Sequence, residues 1–175
     1  VMGFEESYGY LAGTHARDKD AVVASMLICE MAAYYKAQGK TLIDVMNGLY
    51  DEFGYYCNTV QSYTFEGASG MEKMAAIMDG LRVNKPSSFA GYEVTKIDDY
   101  KTSKSTDVKT GEVSEITLPK SNVLAYTLTD GNKVIVRPSG TEPKIKAYIT
   151  AIGTSEENAK QIAQELLKDA DELMK

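Results

Sequence analysis

Residues 123–152 decide the fold of this chain, and they read VLAYTLTDGNKVIVRPSGTEPKIKAYITAI. Runs rich in Val, Ile, Tyr and Thr predict three strands, at Val123–Thr129, Lys133–Arg137 and Ile145–Ile152. The Asp-Gly-Asn sequence at 130–132 is typical of the tight turn of a β-hairpin. The stretch therefore predicts neighbouring strands that are joined first by a hairpin and then by a longer polar connection.

The elements on either side of this stretch extend the sheet and cover it. In chain order they are a strand at Tyr55–Phe65, a helix with a capping box at Ser69 and Glu72, a short strand at Tyr92–Ile97, a polar excursion or mobile loop at 98–121, and a last helix capped by Thr154 and Glu157. This order predicts an α+β domain with a mostly antiparallel sheet covered by two helices.

Residues 1–54 have a different pattern. A Gly-rich polar loop over 1–19 is followed by a helix from about Asp20 to Gln38, and then by a second helix that Thr41 caps and Gly54 ends. The first helix is apolar on most faces, and helices of that kind usually pack on a sheet. The pattern predicts no strand before it. We therefore expect a missing N-terminal part to supply that sheet, and residues 1–54 to be the helical remnant of an α/β domain.

Composition narrows the possible functions. The formal net charge is −6 and the pI is about 4.9, with no basic stripe, so neither nucleic acid nor an anionic membrane is an expected partner. No apolar run approaches the roughly 20 residues of a membrane-spanning helix. Cys29 and Cys57 are too few for a disulfide framework, and we expect them to be buried free thiols in a reducing, cytoplasmic environment.

The connection between the last two strands, Arg-Pro-Ser-Gly-Thr-Glu-Pro-Lys at 137–144, concentrates groups that bind anions. The guanidinium of Arg137 matches two phosphate oxygens at once, and the hydroxyls of Ser139 and Thr141 can donate to the others. Gly140 allows a positive φ, so that neighbouring N–H groups could point inward as an anion nest. The grouping favours the phosphate of a sugar phosphate as the ligand.

The charges around this loop are mixed. Lys144 and Lys146 add positive charge, whereas Glu142 opposes it and is expected to point away. The sequence also fits an ordinary tight turn between two strands, since Pro-Ser-Gly is common in turns. That alternative stays open at this point.

Two segments near the start of the chain carry further candidate site residues. Gly3-Phe4-Glu5-Glu6-Ser7-Tyr8-Gly9 offers carboxylates and a hydroxyl that could bind vicinal sugar hydroxyls, with a solvated acidic loop as the alternative. His15-Ala16-Arg17-Asp18-Lys19 follows it. His15 could carry a proton near neutral pH, and Lys19 could do so if it were desolvated. The alternative is a set of solvated charges that flank a helix start.

These two segments and the loop at 137–144 together resemble the C-terminal part of an α-D-phosphohexomutase, in the phosphoglucomutase/phosphomannomutase superfamily. The resemblance implies that 1–54 is the end of a third, α/β domain and 55–175 a C-terminal phosphate-binding domain. It implies that Glu5 and Ser7 contact the sugar hydroxyls and that His15 and Lys19 line the cleft. The phosphate that is not transferred would be held by Arg137, Ser139, Gly140, Thr141 and Lys144.

The same resemblance implies a parent enzyme that interconverts hexose 1-phosphate and hexose 6-phosphate with Mg²⁺ and a hexose 1,6-bisphosphate. The family's phosphoserine motif, of the type Thr-Ala-Ser-His-Asn-Pro, and its Asp-Gly-Asp-Gly-Asp metal loop are absent from this sequence. We therefore predict that the chain alone binds no metal and is inactive without the N-terminal domains of the parent. A non-catalytic sugar-phosphate-binding or interaction module, and mannose or pentose phosphates as substrates, are the alternatives.

Overall fold

A computed structural model of the chain describes residues 2–5, 8–67 and 69–174. The chain divides into two units, residues 1–53 and residues 54–175. None of the helices in the described part is both long and apolar enough to cross a membrane.

The first unit contains a small hairpin and two helices. Strands β1 (Met2–Phe4) and β2 (Tyr10–Ala12) pair antiparallel, and helices α1 (Ala21–Ala37) and α2 (Leu42–Phe53) follow them. The prediction of a loop over 1–19, with no strand before the first helix, is therefore wrong. Each strand has only three residues, which is too short for a period-two pattern to be recognised in the sequence.

The predicted ends of these helices are confirmed. Asp20 caps α1, because its Oδ1 accepts hydrogen bonds from the amides of Val22 and Val23 at 2.9 and 3.1 Å. Thr41 and Asp44 bond reciprocally at the start of α2, with the amide of each residue donating to the other's side chain at 2.8 and 3.1 Å. No residue of either helix is buried, so the apolar surface expected from the sequence is present but uncovered within this unit.

The second unit is the α+β domain that the sequence predicts. Its sheet has the order β3-β10-β9-β8-β5-β6-β7, with β4 paired to β5, and every described pairing is antiparallel. The strands are β3 (Tyr55–Thr64), β4 (Ser88–Phe89), β5 (Tyr92–Asp99), β6 (Lys104–Asp107), β7 (Val113–Glu115), β8 (Leu124–Leu128), β9 (Lys133–Pro138) and β10 (Lys144–Gly153); the helices are α3 (Gly70–Val83) and α4 (Glu156–Leu173).

Several local predictions are corrected here. The segment at 98–121 contains the hairpin β6–β7 rather than only a loop, and its polar sequence reflects a position at the edge of the sheet. Ser69 makes no capping bond through its side chain, so the predicted capping box of α3 is wrong. Helix α4 is capped by Ser155, whose hydroxyl accepts from the amide of Asn158 at 3.1 Å, and not by Thr154.

Strand alternation separates a buried face of the sheet from an outer face. In β9 and β10, the side chains of Val134, Val136, Ile145, Ala147, Ile149 and Ala151 are buried and form a core with apolar residues of α3 and α4. The residues between them in sequence, among them Ile135, Arg137, Lys146 and Tyr148, lie on the opposite face, which we call the outer face. The loop at 137–144 connects these two strands at one edge of that face.

The two thiols are free, as expected, but they are not buried. Cys29 is exposed on α1, and Cys57 of β3 is half-buried. The prediction of burial is wrong at Cys29 because α1 has no covering layer within the first unit.

Candidate functional site

The loop at 137–144 is fixed to the sheet by backbone hydrogen bonds. The amide of Ser139 donates to the carbonyl of Lys144 at 2.7 Å and closes the loop. The amide of Phe65, just after β3, donates to the carbonyl of Pro143 at 2.8 Å. The loop is therefore anchored by one backbone hydrogen bond between its own two ends and by another to the residue that follows β3.

Ser139 organises the tip of the loop. Its hydroxyl oxygen accepts from the amides of Thr141 and Glu142 at 3.4 and 3.2 Å, so both N–H groups converge on this side chain. The predicted positive φ at Gly140 is wrong, because this glycine is not in the left-handed region. A Cβ atom added at Gly140 would meet open space, so nothing within the described protein explains the absence of a side chain there.

The charges at the loop are distributed unevenly. Glu142 does not simply point away, because its Oε2 lies 3.0 Å from Nζ of Lys144 and offsets that charge. Arg137 is exposed, and no carboxylate within the described ranges pairs with it. Strand register places Lys146 directly opposite Arg137 on the outer face. Of the two loop cations Arg137 and Lys144, therefore, Arg137 is the one whose charge no carboxylate in the described ranges offsets.

The segment Gly3–Gly9, with its candidate carboxylates, brings Glu5 close to Lys19. Nζ of Lys19 lies 3.6 Å from Oε1 of Glu5 and 2.9 Å from Oδ1 of Asp18. A Cβ at Gly9 would lie only 2.6 Å from the Lys19 side chain, so the backbone there must come close to it. Ser7, the predicted hydroxyl contact, and its neighbour Glu6 lie outside the described residues.

The surroundings of Lys19 keep it charged. Its hydrogen bond and charge interaction with Asp18, followed by the charge of Glu5, raise the pKa of the ammonium above its usual value. The side chain is half-exposed. Lys19 is therefore suited to attract an electronegative group of a ligand and not to accept a proton, because the two carboxylates raise its pKa whereas a lysine base needs a lowered one.

His15 is oriented by the residue that caps α1. Its Nε2 lies 2.9 Å from Oδ2 of Asp20, whose other oxygen accepts the two amide bonds at the start of the helix. The hydrogen bond with His15 and those amides lower the pKa of Asp20. A carboxylate that fixes one ring nitrogen leaves the other available for proton exchange.

The third cationic residue of this segment, Arg17, lines a pocket of about 300 Å³ together with Glu5 and Lys19.

The magnesium ion that the family resemblance implies does not fit the described residues. In the ranges 2–5, 8–67 and 69–174, no three His, Cys, Asp or Glu side chains form a group that could hold a metal ion.

The fold and these loops define a domain pair of the phosphohexomutase type, and the chain belongs to the phosphoglucomutase/phosphomannomutase family. Residues 1–53 match the sequence model of phosphoglucomutase/phosphomannomutase alpha/beta/alpha domain III. Residues 72–169 match that of the phosphoglucomutase/phosphomannomutase C-terminal domain.

Particular relatives support the same assignment. The phosphoglucomutase of Staphylococcus epidermidis is 41% identical over 150 residues, which cover 86% of this chain and 27% of that protein. The phosphoglucomutase of Staphylococcus haemolyticus is 37% identical over 166 residues, which cover 95% of this chain and 30% of that protein. The chain thus spans less than a third of the length of these relatives.

A solved structure shares the fold. The open form of the exocytosis-sensitive phosphoprotein pp63/parafusin (phosphoglucomutase) from Paramecium matches with a TM-score of 0.63. The match covers 97% of this chain and 29% of that one, at 18% identity. At this identity the likeness supports the fold.

Proposed function

We propose that this chain is the C-terminal portion of a phosphohexomutase that interconverts hexose 1-phosphate and hexose 6-phosphate. Its share of the work is to hold the sugar hydroxyls and the phosphate that is not transferred. Family membership and phosphoglucomutase relatives support the reaction class. The observation that carries the binding role is Arg137, an exposed guanidinium that has no carboxylate partner within the described ranges and stands two and four residues before the loop hydroxyls of Ser139 and Thr141.

The phosphate site would be assembled from one short loop and one strand. Arg137 offers a planar pair of donors, and Ser139 and Thr141 offer hydroxyls, so that a dianion gains several charge-assisted contacts. Gly140, with open space where a side chain would be, lets the phosphate approach the backbone closely. Lys144 and Lys146 supply further charge, the first partly offset by Glu142.

The residues of the first unit have a different part in the proposal. Residues 1–54 form the end of the third domain, where Glu5 and Ser7 accept hydrogen bonds from sugar hydroxyls. Lys19, kept protonated by Asp18 and Glu5, donates to a ligand oxygen. His15, oriented by Asp20, is the group suited to move a proton. Residues 55–175 form the phosphate-binding domain.

The phosphoryl transfer itself is assigned to the rest of the parent enzyme. The chain has no phosphoserine motif, and a transfer step requires a nucleophile and stabilisation of the developing negative charge. The chain alone is expected to show no mutase activity. Activity that returns only when the N-terminal domains are added would favour this proposal over a non-catalytic sugar-phosphate-binding module.

Binding by the chain can be tested directly with ¹⁵N NMR titrations of glucose 6-phosphate and inorganic phosphate. Arg137→Ala should weaken binding of both by roughly ten-fold or more, because a charge-assisted paired contact is lost. Lys120→Ala removes a positive charge from an exposed site outside the loop and serves as the matched control. Equal affinities of Arg137→Ala and the wild-type chain would refute the loop's role.

Comparing mannose 6-phosphate with glucose 6-phosphate in the same titration tests the substrate class. A phosphate-only site should bind the two alike through residues 137–144. Discrimination between these epimers should come from shifts in the Glu5 loop.

A further inference from the structure

The first residue of helix α3 lies against the loop at 137–144. Gly70 is buried, and a Cβ atom built on it would lie 2.1 Å from the carbonyl oxygen of Phe65 and 2.9 Å from Cβ of Pro143. Non-bonded carbon atoms prefer separations of about 3.5–4.0 Å, so no side chain fits here unless its neighbours move. Gly70 is not in the left-handed region. The glycine is therefore required by lack of space and not by its backbone conformation.

Phe65 connects the loop to this helix. Its amide donates to the carbonyl of Pro143 at 2.8 Å, and its own carbonyl oxygen is the atom that a Cβ at Gly70 would meet first. The helix is fixed on its other side, because Met74 and Met78 are buried in the core. A side chain at position 70 would therefore displace Phe65 and Pro143 rather than the helix.

A displacement of Pro143 would reach the groups that organise the loop. The next residue is Lys144, whose carbonyl accepts the amide of Ser139 at 2.7 Å. The hydroxyl oxygen of Ser139 in turn accepts from the amides of Thr141 and Glu142 at 3.4 and 3.2 Å. One continuous set of hydrogen bonds thus joins the end of the loop to its tip, so the position of the tip depends on the position of Pro143.

We propose that Gly70 is a positioning residue for the loop at 137–144. The space left by its missing side chain lets Pro143 lie where the loop hydroxyls and Arg137 can reach the same phosphate. Binding groups must be held within about 0.5 Å of their productive geometry, whereas a Cβ at Gly70 would require a displacement on the order of 1 Å from Phe65. This inference rests on the proposed function, since it assumes that the loop binds phosphate. It adds a residue that acts through Pro143 and not through contact with the ligand.

The test compares two glycines of one helix in the full chain. Gly70→Ala introduces the clash, whereas Gly80→Ala is the matched control, because a Cβ at Gly80 meets open space. Inorganic phosphate and glucose 6-phosphate are titrated into each variant and followed by ¹⁵N NMR. Gly70→Ala should weaken binding of both by about five- to ten-fold, as expected when one hydrogen bond to a charged group is impaired. It should also shift the amide resonances of Ser139 and Thr141 in the free protein. Gly80→Ala should leave affinity and shifts unchanged.

Two further variants separate positioning from a general loss of stability. Ser155→Ala removes the cap of α4 and is expected to lower stability without touching the loop, so it should bind phosphate like the wild type. In a Ser139→Ala background, Gly70→Ala should cause a smaller further loss of affinity, because both act through the same hydrogen bonds. Equal losses of affinity for Gly70→Ala in the two backgrounds, or an equal loss in Ser155→Ala, would overturn the positioning role.

The wild-type titration decides the question if Gly70→Ala does not fold. Phosphate should shift the amide resonances of Phe65 and Gly70 together with that of Ser139, and leave that of Gly80 unchanged. A response at Ser139 with none at Phe65 and Gly70 would overturn the inference. Unchanged affinity in folded Gly70→Ala, with affinity lost in Arg137→Ala, would overturn this inference alone. No phosphate binding by the wild-type chain would overturn the proposed function and this inference with it.

Discussion

At the scale of single residues, the hydroxyl of Tyr126 stands out in the core. The side chain is fully buried, and its hydroxyl has no hydrogen-bond partner within the residues that the structure describes. Burial raises the pKa of this phenol to about 12; the charge of Arg82 lowers the pKa slightly and the charge of Asp99 raises it slightly. A buried hydroxyl without a partner costs free energy, so this residue is not optimised for stability.

Removing this hydroxyl should therefore stabilise the protein. Tyr126→Phe is expected to raise the free energy of unfolding by about 1 kcal/mol, measured by urea denaturation at neutral pH. Tyr63→Phe is the matched control with the opposite sign, because the Tyr63 hydroxyl donates to Asp171 Oδ1 at 2.6 Å. A loss of stability in Tyr126→Phe would mean that its hydroxyl makes a favourable interaction.

Alkaline pH provides a second prediction for the same residue. The folded-state pKa of Tyr126 lies above the ordinary value of 10.0, at about 12. The folded state therefore favours the neutral phenol, and this contribution is complete below pH 10 and is lost as the pH rises toward 12. Tyr126→Phe should lose less stability than the wild type between these pH values in otherwise identical urea titrations. Parallel pH profiles for the two proteins would contradict the shift.

The sequence identifies the loop residues of the site better than it identifies their neighbours. Arg137, Ser139 and Thr141 stand within five residues of each other, so their grouping needs no knowledge of the fold. Lys146 was recognised only as local positive charge, because its position opposite Arg137 depends on strand register. The pairing of Glu142 with Lys144 depends on side-chain rotamers, which a sequence pattern does not specify.

At the scale of elements, the two helices of the second unit begin in different ways. Ser155 precedes α4 in extended backbone conformation, and its hydroxyl accepts from the Asn158 amide. Ser69 precedes α3 with φ −87° and ψ 1°, and its side chain makes no capping bond. A capping serine requires the extended conformation to aim its hydroxyl back at the helix, so only one of these serines stabilises its helix in this way.

Alanine substitutions should separate the two serines. Ser155→Ala is expected to lower the free energy of unfolding by about 1 kcal/mol, while Ser69→Ala should change it by less than about 0.5 kcal/mol. Thermal and urea denaturation of both variants measure the difference. Similar losses for the two serines would show that Ser69 also caps its helix in solution.

These caps also show where sequence reasoning about elements fails. Thr154 and Ser155 are adjacent and both are capping residue types, so the choice between them depends on the backbone after β10. The hairpin β6–β7 was missed because its strands are short and polar and lie at the sheet edge. The long strands β3 and β10 and the helix α4 were predicted correctly, because their patterns persist over many residues.

At the scale of the whole molecule, burial is concentrated in one unit. The hydrophobic core consists of residues from α3, α4 and the large sheet, while α1 and α2 contain no buried residue. In the first unit, the hairpin and both helices line an apolar cavity of about 540 Å³. The sequence indicated apolar helix faces in need of a sheet, and the two strands found there are too short to cover them.

This difference predicts two levels of stability within one chain. Local unfolding has a low free energy where few apolar contacts are buried, and approaches the global value in a packed core. Helices α1 and α4 make a matched comparison, because they are almost equally long, with 17 and 18 residues. Amides in the middle of α1 should exchange with deuterium at least about 100-fold faster than those in the middle of α4, which corresponds to a difference of roughly 3 kcal/mol in opening free energy.

Dilution of the sample controls for association of the exposed α1 faces, which would slow exchange in a concentration-dependent way. Protection of α1 equal to that of α4 in dilute solution would show that the first unit reaches the stability of the second without a buried core, and burial would then be the wrong measure of its order.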